Sequence, residues 1–217
     1  TGRYKQATFS PKFGLVYQPL KNKISLFANY QNGFTNQTGT DYAGKTFKPQ
    51  HANQLEGGVK LDLLNGKLSS TLSYYNIEVN DILRTDMQHP MYSVQDGTQL
   101  SKGFEAEVIT NPLKGLNIMA GFSYNDSKYT KADADVQGRR PATAMSPYTA
   151  NWWLSYHVLN GKVKGLGFGF GGNYASDNKI ENSVYYGVVT LSAYTVLNAG
   201  IFYEQPKFKL GLKVDNL

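Results

Sequence analysis

The amino-acid sequence predicts an all-β fold, an antiparallel up-and-down transmembrane β-barrel. Three observations predict it. Apolar and polar residues alternate through most of the 217 residues, the alternating segments are long, and the links between them are alternately short and long. Because successive side chains of a strand point to opposite faces, each segment has one apolar face and one polar or very small face.

The alternation is clearest in two segments. Over 166–174, Leu166, Phe168 and Phe170 lie on one face, while glycines and an asparagine lie on the other. The same pattern runs through 116–125. A soluble β-sandwich would alternate in the same way. The length of the segments, the polar second face and the aromatic residues at the segment ends favour a membrane barrel instead.

About ten such segments are present, near 8–18, 23–34, 52–63, 67–80, 98–110, 115–128, 146–158, 165–176, 190–204 and 207–216. Many exceed the length of about five or six residues usual in globular sheets. They match the roughly nine to eleven residues that a tilted strand needs to cross a bilayer. Tyrosines near the ends of the apolar faces are typical of interfacial girdles: Tyr17, Tyr30, Tyr124, Tyr148, Tyr174 and Tyr203.

The lengths of the links predict how the strands are oriented across the membrane. Short links occupy 19–22, 64–66, 111–114, 160–164 and 205–206, and long links occupy 35–51, 81–97, 129–145 and 177–189. Outer-membrane barrels have short periplasmic turns and longer extracellular loops. The first segment then runs inward and the last runs outward, so both ends of the chain are expected on the extracellular side. An open sheet in lipid would leave unpaired backbone groups that each cost several kcal/mol, which predicts a fragment of a larger barrel.

Composition and spacing exclude other classes of protein. The chain has no Cys and a net charge of +6, but its Lys and Arg residues are too scattered for a nucleic-acid interface. His51, His89 and His157 lack zinc-ligand spacing. Asp133 and Asp135 could ligate Ca²⁺, but without an EF-hand pattern a solvated loop is the preferred interpretation. No catalytic constellation is found, and no metal site is predicted.

Six stretches, in order and at strand spacing, resemble strands from the C-terminal half of TonB-dependent siderophore receptors. They are SPKFGLVY at 10–17, LFANY at 26–30 followed by Gly33-Phe34, QLEGGVK at 54–60, SKGFEAE at 101–107, SPY at 146–148 with Trp152, and LGLKVDNL at 210–217. The stretch at 101–107 is the most specific, since it resembles the family's S-K/R-G-x-E-x-E strand.

That resemblance implies a barrel of about 22 strands with an N-terminal plug domain. Residues 1–217 would be a partial β-barrel domain without the plug and the last strand. Such a receptor imports ferric siderophores across the bacterial outer membrane, energised through the TonB complex. It would be no enzyme and hold no cofactor, with iron present only in its cargo. Outer-membrane lipid and lipopolysaccharide would surround it. Two alternatives stay open: an ungated porin or adhesin, or a receptor for vitamin B12, heme or a glycan.

Two groups of residues are candidates for function. Arginine for bidentate contacts and aromatic rings for stacking would suit an anionic, planar iron chelate. The candidates in the long links are the adjacent pair Arg139 and Arg140 first, then Arg84, Tyr42, Phe47, Tyr92, Tyr185 and Tyr186. A charged wall of the barrel lumen, in contact with the plug, is predicted from Glu56, Lys60, Lys102, Glu105 and Glu107.

Overall fold

The computed structural model describes residues 7–86 and 88–217. Ten strands form one antiparallel sheet in the order β1-β2-β3-β4-β5-β6-β7-β8-β11-β12, and β9 and β10 form a separate ribbon. The strands are β1 (Lys12–Leu20), β2 (Ile24–Thr35), β3 (Gln50–Leu63), β4 (Leu68–Thr85), β5 (Ser93–Thr110), β6 (Leu116–Lys131), β7 (Tyr148–His157), β8 (Leu166–Ala175), β9 (Asn178–Asn182), β10 (Val188–Leu191), β11 (Tyr194–Gln205) and β12 (Phe208–Asp215).

The sheet is a single layer with up-and-down topology. Strands β1 to β8 pair in chain order, β8 then pairs with β11 and β11 with β12, and the β9–β10 ribbon is inserted between β8 and β11. Within the described ranges no second sheet covers it, and Phe168 and Phe170 are 48% and 47% exposed. This confirms the predicted all-β, antiparallel architecture and rules out a sandwich with a dry core. No helix of the described chain has the length and apolar character needed to cross a membrane.

The strand register gathers the apolar residues on one face, here called the outer face. Phe104 pairs with Tyr124, which pairs with Tyr148, and the neighbouring rings lie 5.6 Å and 5.0 Å apart between centroids. Nearer the short turns, Leu154 pairs with Phe170. The apolar side chains of this face favour an apolar surrounding, because removing apolar surface from water is worth about 25 cal/mol per Å² in free energy.

The strands are tilted relative to the belt of aromatic residues. A row of register partners begins at Tyr17, near the turn end of β1, and reaches Tyr174, near the loop end of β8. Tyr156 and Tyr203 lie near the turn end of their strands. Aromatic belts that cross the register rows obliquely are what a tilted barrel wall requires.

The opposite face, here called the lumen face, is polar and uses glycines to seat large rings. A Cβ at Gly169 would lie 2.2 Å from Cζ2 of Trp153, so only glycine leaves room for that ring. Four aromatic side chains of this face each oppose a glycine in register: Phe27 and Gly58, Tyr75 and Gly103, Trp153 and Gly171, and Phe202 and Gly167. Gly167, Gly169 and Gly171 lie on this face, as their alternation with Leu166, Phe168 and Phe170 predicts, whereas Gly172 pairs with Trp152 on the outer face.

Two predicted loops contain regular structure. The link 81–97 is mostly strand, since β4 runs to Thr85 and β5 begins at Ser93. Register shifts beside Ile82 break the alternation there, as bulges do, and the strands are therefore not evident in the sequence. The link 177–189 contains β9 and the start of β10. The short turns are confirmed; one is built from consecutive left-handed residues, with φ of 56°, 57° and 80° at Leu64, Asn65 and Gly66.

Candidate ligand-binding surface

The long connections all leave the same end of the sheet, opposite the short turns. They are the loop between β2 and β3, the tip of the β4–β5 hairpin, the loop between β6 and β7, and the segment that carries the β9–β10 ribbon. Antiparallel pairing forces alternate connections to one end. This end of the sheet, here called the rim, therefore holds every ligand candidate that the sequence placed in a loop.

Three rings from two loops form an aromatic cluster on the rim. The Tyr42 ring stacks on the His89 ring, with centroids 3.5 Å apart and planes 9° apart, and Tyr92 meets Tyr42 edge-on at 5.3 Å. His89 Nδ1 lies 3.0 Å from a carboxylate oxygen of Asp86, which fixes the imidazole plane. The His89 hydrogen bond, followed by that from the Gln88 amide, holds the Asp86 pKa below its usual value. Tyr42 and Tyr92 remain 59% and 44% exposed.

The structure corrects Phe47 as a candidate. Phe47 is only 8% exposed, because a bridge between Thr40 and Thr46 closes the β2–β3 loop and Gly39 lies against the ring. A buried ring cannot stack on a ligand from outside. Phe47 is instead the small core around which this loop folds.

The same loop is joined to the β4–β5 hairpin by reciprocal hydrogen bonds. The Lys48 amide donates to Gln95 Oε1 at 2.7 Å, and Gln95 Nε2 donates to the Lys48 carbonyl at 2.7 Å. Gln95 Nε2 also donates to the Asp81 carbonyl at 3.0 Å. The Gln95 side chain thus holds the backbone of the β2–β3 loop against the β4–β5 hairpin. This contact places Tyr42 next to His89.

Arg84 lies in an ion-pair network. Its guanidinium forms a bidentate pair with Asp96, with Nη2 3.0 Å from Oδ2, and Nη1 lies 2.7 Å from Asp133. Lys131 also contacts Asp96 at 3.0 Å. Two carboxylates already neutralise Arg84, and the network connects the β4–β5 hairpin to the β6–β7 loop. Binding of an anionic cargo by Arg84 remains a prediction that this geometry does not favour.

Arg139 and Arg140 are also engaged within the chain. Arg139 Nη1 donates to Asn182 Oδ1 at 3.0 Å. Arg140 donates to the Asn125 carbonyl and to Asn125 Oδ1, both at 2.8 Å, and to the Met145 carbonyl. Asn182, which is 6% exposed, returns a bond to the Arg140 carbonyl at 2.9 Å. These two arginines join the β6–β7 loop to β6 and to the β9–β10 ribbon, and their role as ligand contacts stays a prediction.

The turn of the β9–β10 ribbon is held by one carboxylate and presents two tyrosines. Asp135 accepts bonds from the Ser183 hydroxyl at 2.6 Å and from the Tyr185 amide at 2.9 Å. These bonds, that of Ser183 first, hold the Asp135 pKa below its usual value. Tyr185 and Tyr186 are 71% and 84% exposed. A fixed turn with exposed rings is suited to binding.

The lumen face carries part of the predicted charged wall. Glu56, Lys60, Glu105 and Glu107 line one concavity of about 440 Å³. The predicted placement of Lys102 in the lumen wall is wrong. Its register partners place it on the outer face, and its Nζ lies 3.8 Å from Asp126 there.

Sequence reasoning missed several residues that organise the rim. Neither His89, Asp86 nor Asn182 was a ligand candidate, because their partners lie in other loops or in a turn that sequence does not define. Lys102 could have been placed correctly, since it lies an odd number of residues from Glu105 in one strand. Among residues 7–86 and 88–217, no group of three or more His, Cys, Asp or Glu side chains could hold a metal ion.

The fold and the rim together define a class of protein. A single tilted sheet with a lipid-suited face, a polar concave face and braced loops at one end is the wall of a transmembrane β-barrel with a binding surface at its mouth.

Comparison with known proteins identifies the family. The chain matches the family described as TonB dependent receptor-like, beta-barrel, over residues 1–217, and it belongs to that family. It is therefore part of an outer-membrane protein.

Individual relatives support the same assignment. The chain is 29% identical over 213 residues to the metal-pseudopaline receptor of Pseudomonas aeruginosa, covering 98% of this chain and 30% of the relative. It is 28% identical over 214 residues to the ferrioxamine B receptor of Salmonella typhimurium, covering 96% and 30%. The crystal structure of the Pseudomonas aeruginosa ferripyoverdine receptor bound to ferripyoverdine matches its fold with a TM-score of 0.80 at 21% identity, covering 98% of this chain and 29% of that one. The chain thus spans about 30% of the length of these relatives.

Proposed function

We propose that the receptor containing this chain captures a metal–chelator complex, most simply a ferric siderophore, at the rim and imports it across the outer membrane. The observation that carries the proposal is the cluster of Tyr42, His89 and Tyr92, in which both tyrosine rings are exposed. Flat aromatic faces bind planar, delocalised or cationic groups with little loss of conformational entropy. The relatives support this cargo class, since their names specify a metal-pseudopaline complex, ferrioxamine and pyoverdine.

The hydrogen bonds and ion pairs of the three rim arginines bear on how the cargo is recognised. Arg84, Arg139 and Arg140 each donate to partners within the chain, so an anionic cargo would compete with those contacts for their guanidinium groups. Recognition then falls to the aromatic cluster and to Tyr185 and Tyr186. Because the loops brace one another, the surface is preorganised, which lowers the entropic cost of binding.

Transport would use the rest of the receptor. We propose that further strands pair with β1 and β12 along the edges that have no partner strand among the described residues. We also propose that a plug contacts Glu56, Lys60, Glu105 and Glu107, and that the TonB complex supplies the energy. The receptor would act without chemistry on its cargo and without a resident cofactor. Family membership favours this gated receptor over a porin or adhesin, and the named relatives favour a metal chelate over vitamin B12, heme or a glycan.

The test uses the full-length receptor and a panel of ferric siderophores. Tyr42→Ala together with His89→Ala should weaken binding of the cognate complex about tenfold, from the roughly 0.5–1.5 kcal/mol of each aromatic contact. Tyr194→Ala is the matched control, since Tyr194 is 59% exposed like Tyr42 but lies outside the cluster. Equal affinities for both variants and the wild type, measured by fluorescence quenching, would contradict the proposal.

A further inference from the structure

The lumen face divides into a charged part and an uncharged part. The charged part lies on β3 and β5, whose register places these side chains on this face: Glu56, Lys60, Asp62, Glu105 and Glu107. On β6, β7, β8 and β11, the lumen-face residues within 117–123, 149–157, 167–175 and 196–202 include no Asp, Glu, Lys or Arg. These lumen-face residues are here called the uncharged lane.

The largest side chain of the lane lies flat against the wall. A Cβ at Gly169 or Gly171 would collide with the Trp153 ring, so this ring lies across β8. Its far edge reaches β11, where an added Cβ of Gly200 would lie 3.9 Å from Cη2 of Trp153. The lane therefore presents an aromatic face while no large side chain projects from the middle of β8.

A second aromatic group marks the end of the lane at the short turns. A Cβ at Gly167 would collide with the Phe202 ring, so that ring also lies on β8. His157 lies beside it, with ring centroids 4.4 Å apart. Aromatic faces stack on planar groups without forming ion pairs. Such surfaces therefore follow one another down the lane.

The lane begins below the β9–β10 ribbon. The ribbon is inserted between β8 and β11, and its base is closed where Asp177 accepts a bond from the Ala193 amide at 2.8 Å. The bond between Asp135 and the Ser183 hydroxyl joins the ribbon to the β6–β7 loop. The part of the rim that presents Tyr185 and Tyr186 is thus carried by the same strands that form the lane.

From these observations we propose that a metal–chelator complex crosses the receptor along the uncharged lane, from the ribbon past Trp153 and Phe202 to the short-turn end. This inference rests on the proposed function and assigns the route within it. A path must bind its cargo weakly enough at each step to release it. Charge-assisted bonds in the charged part would hold a charged complex, or the proposed plug, more firmly. Stacking contacts form and break without leaving a charge unpaired.

The test variant is Gly200→Phe, which places a ring in the lane. An added Cβ there makes ordinary contacts, the nearest at 3.5 Å to the Leu212 carbonyl oxygen, so the variant should fold. Ala199→Phe is the control for added bulk, because Ala199 is the neighbouring residue and pairs with Phe170 on the outer face. Thr71→Phe is the control for the route. Thr71 lines the concavity of about 440 Å³ in the charged part, which has room for the ring.

The experiment measures energised uptake by cells that carry the full-length receptor and its TonB system. The probes are ferrioxamine B, ferrichrome and ferripyoverdine that carry radioactive iron. Gly200→Phe should lower the maximal rate about tenfold, which corresponds to an added barrier of about 1.4 kcal/mol. Affinity at the rim, measured by fluorescence quenching, should not change. Ala199→Phe and Thr71→Phe should stay within about twofold of the wild-type rate, as tolerated surface substitutions do.

Three results would overturn the proposal. An unchanged rate in Gly200→Phe would show that the cargo does not pass this residue, and an equal loss in either control would show that the effect is not specific to the lane. Entry of vancomycin into Gly200→Phe cells would show that the ring displaces the plug and opens the barrel. Binding at the rim is read separately, so a failure of capture would not be confused with a blocked route.

Discussion

Leu154 and Met119 provide a matched test of which face meets lipid. Leu154 pairs with Ile118 on β6, and Met119 is the next residue of that strand, so the two side chains lie at nearly the same height on opposite faces. They are 45% and 44% exposed. We expect Leu154→Arg to destabilise the folded receptor and Met119→Arg to have little effect, because only the first places a charge in hydrocarbon.

The loss of folding free energy expected for Leu154→Arg depends on the depth of this position in the bilayer. Leu154 lies two residues from Tyr156 of the lower belt and six from Tyr148 of the upper belt. At about 3.3 Å per residue and a tilt near 40°, these separations are about 5 Å and 15 Å. Arginine costs about 2–4 kcal/mol at the midplane and about 0–1 kcal/mol near the interface. Leu154→Arg should therefore cost about 2 kcal/mol, and Ala120→Arg, midway between the belts, about 3 kcal/mol.

The assay is a urea titration of the full-length receptor refolded into phospholipid vesicles, which gives the free energy of unfolding. Met119→Arg should remain within about 0.5 kcal/mol of the wild type, as solvated surface positions do. If Met119→Arg costs more than Leu154→Arg, the two faces are reversed. If both cost nothing, the sheet does not stand in a membrane.

Three further predictions concern the lumen and the rim. Gly169→Leu should cost about 1–3 kcal/mol in the same titration, because its side chain would displace the Trp153 ring; an unchanged stability would show that the ring moves freely. The Asp135 pKa is lowered, so its hold on the β9–β10 ribbon should be complete above the usual carboxyl pKa of 3.8 and be lost as pH falls through the lower folded value. Protection of the ribbon amides, measured relative to their intrinsic exchange rates, should show this loss in the wild type, and Asp135→Ala, which removes the acceptor, should have low protection at every pH. Arg139→Ala with Arg140→Ala should speed exchange in the same ribbon and reduce siderophore uptake while leaving assembly intact; unchanged exchange would show that these arginines do not brace the loops.

The wall could be predicted from sequence because its chemistry repeats every second residue. Lipid on one face and water on the other impose that period on every strand, so Phe168 and Phe170 mark the outer face without any knowledge of their neighbours. The pattern fails where geometry changes. The register shifts at Ile82, and the alternation of apolar and polar residues breaks there. The sequence therefore predicts a loop where the structure has an extended β4–β5 hairpin.

The rim could be predicted only as a set of loops with suitable residue types. Its arrangement depends on contacts between distant residues, such as Asp135 with Ser183, 48 positions away. A short polar loop gives no periodic signal of such a contact. For that reason Phe47 looked like a surface ring, although it is the core of its own loop. The stacked pair of Tyr42 and His89 has the same origin, because two separate loops must meet to form it.

A barrel wall has one face in contact with lipid and the other in contact with water, and the two faces alternate along each strand. The chain has no cysteine, so single cysteines can be placed along β6 of the receptor at each position of 117–124, spin-labelled, and measured by paramagnetic relaxation in vesicles. Labels at the even positions should be relaxed by lipid-soluble oxygen, and labels at the odd positions by a water-soluble nickel chelate. Accessibility without a two-residue period, or with the parity exchanged, would contradict the account.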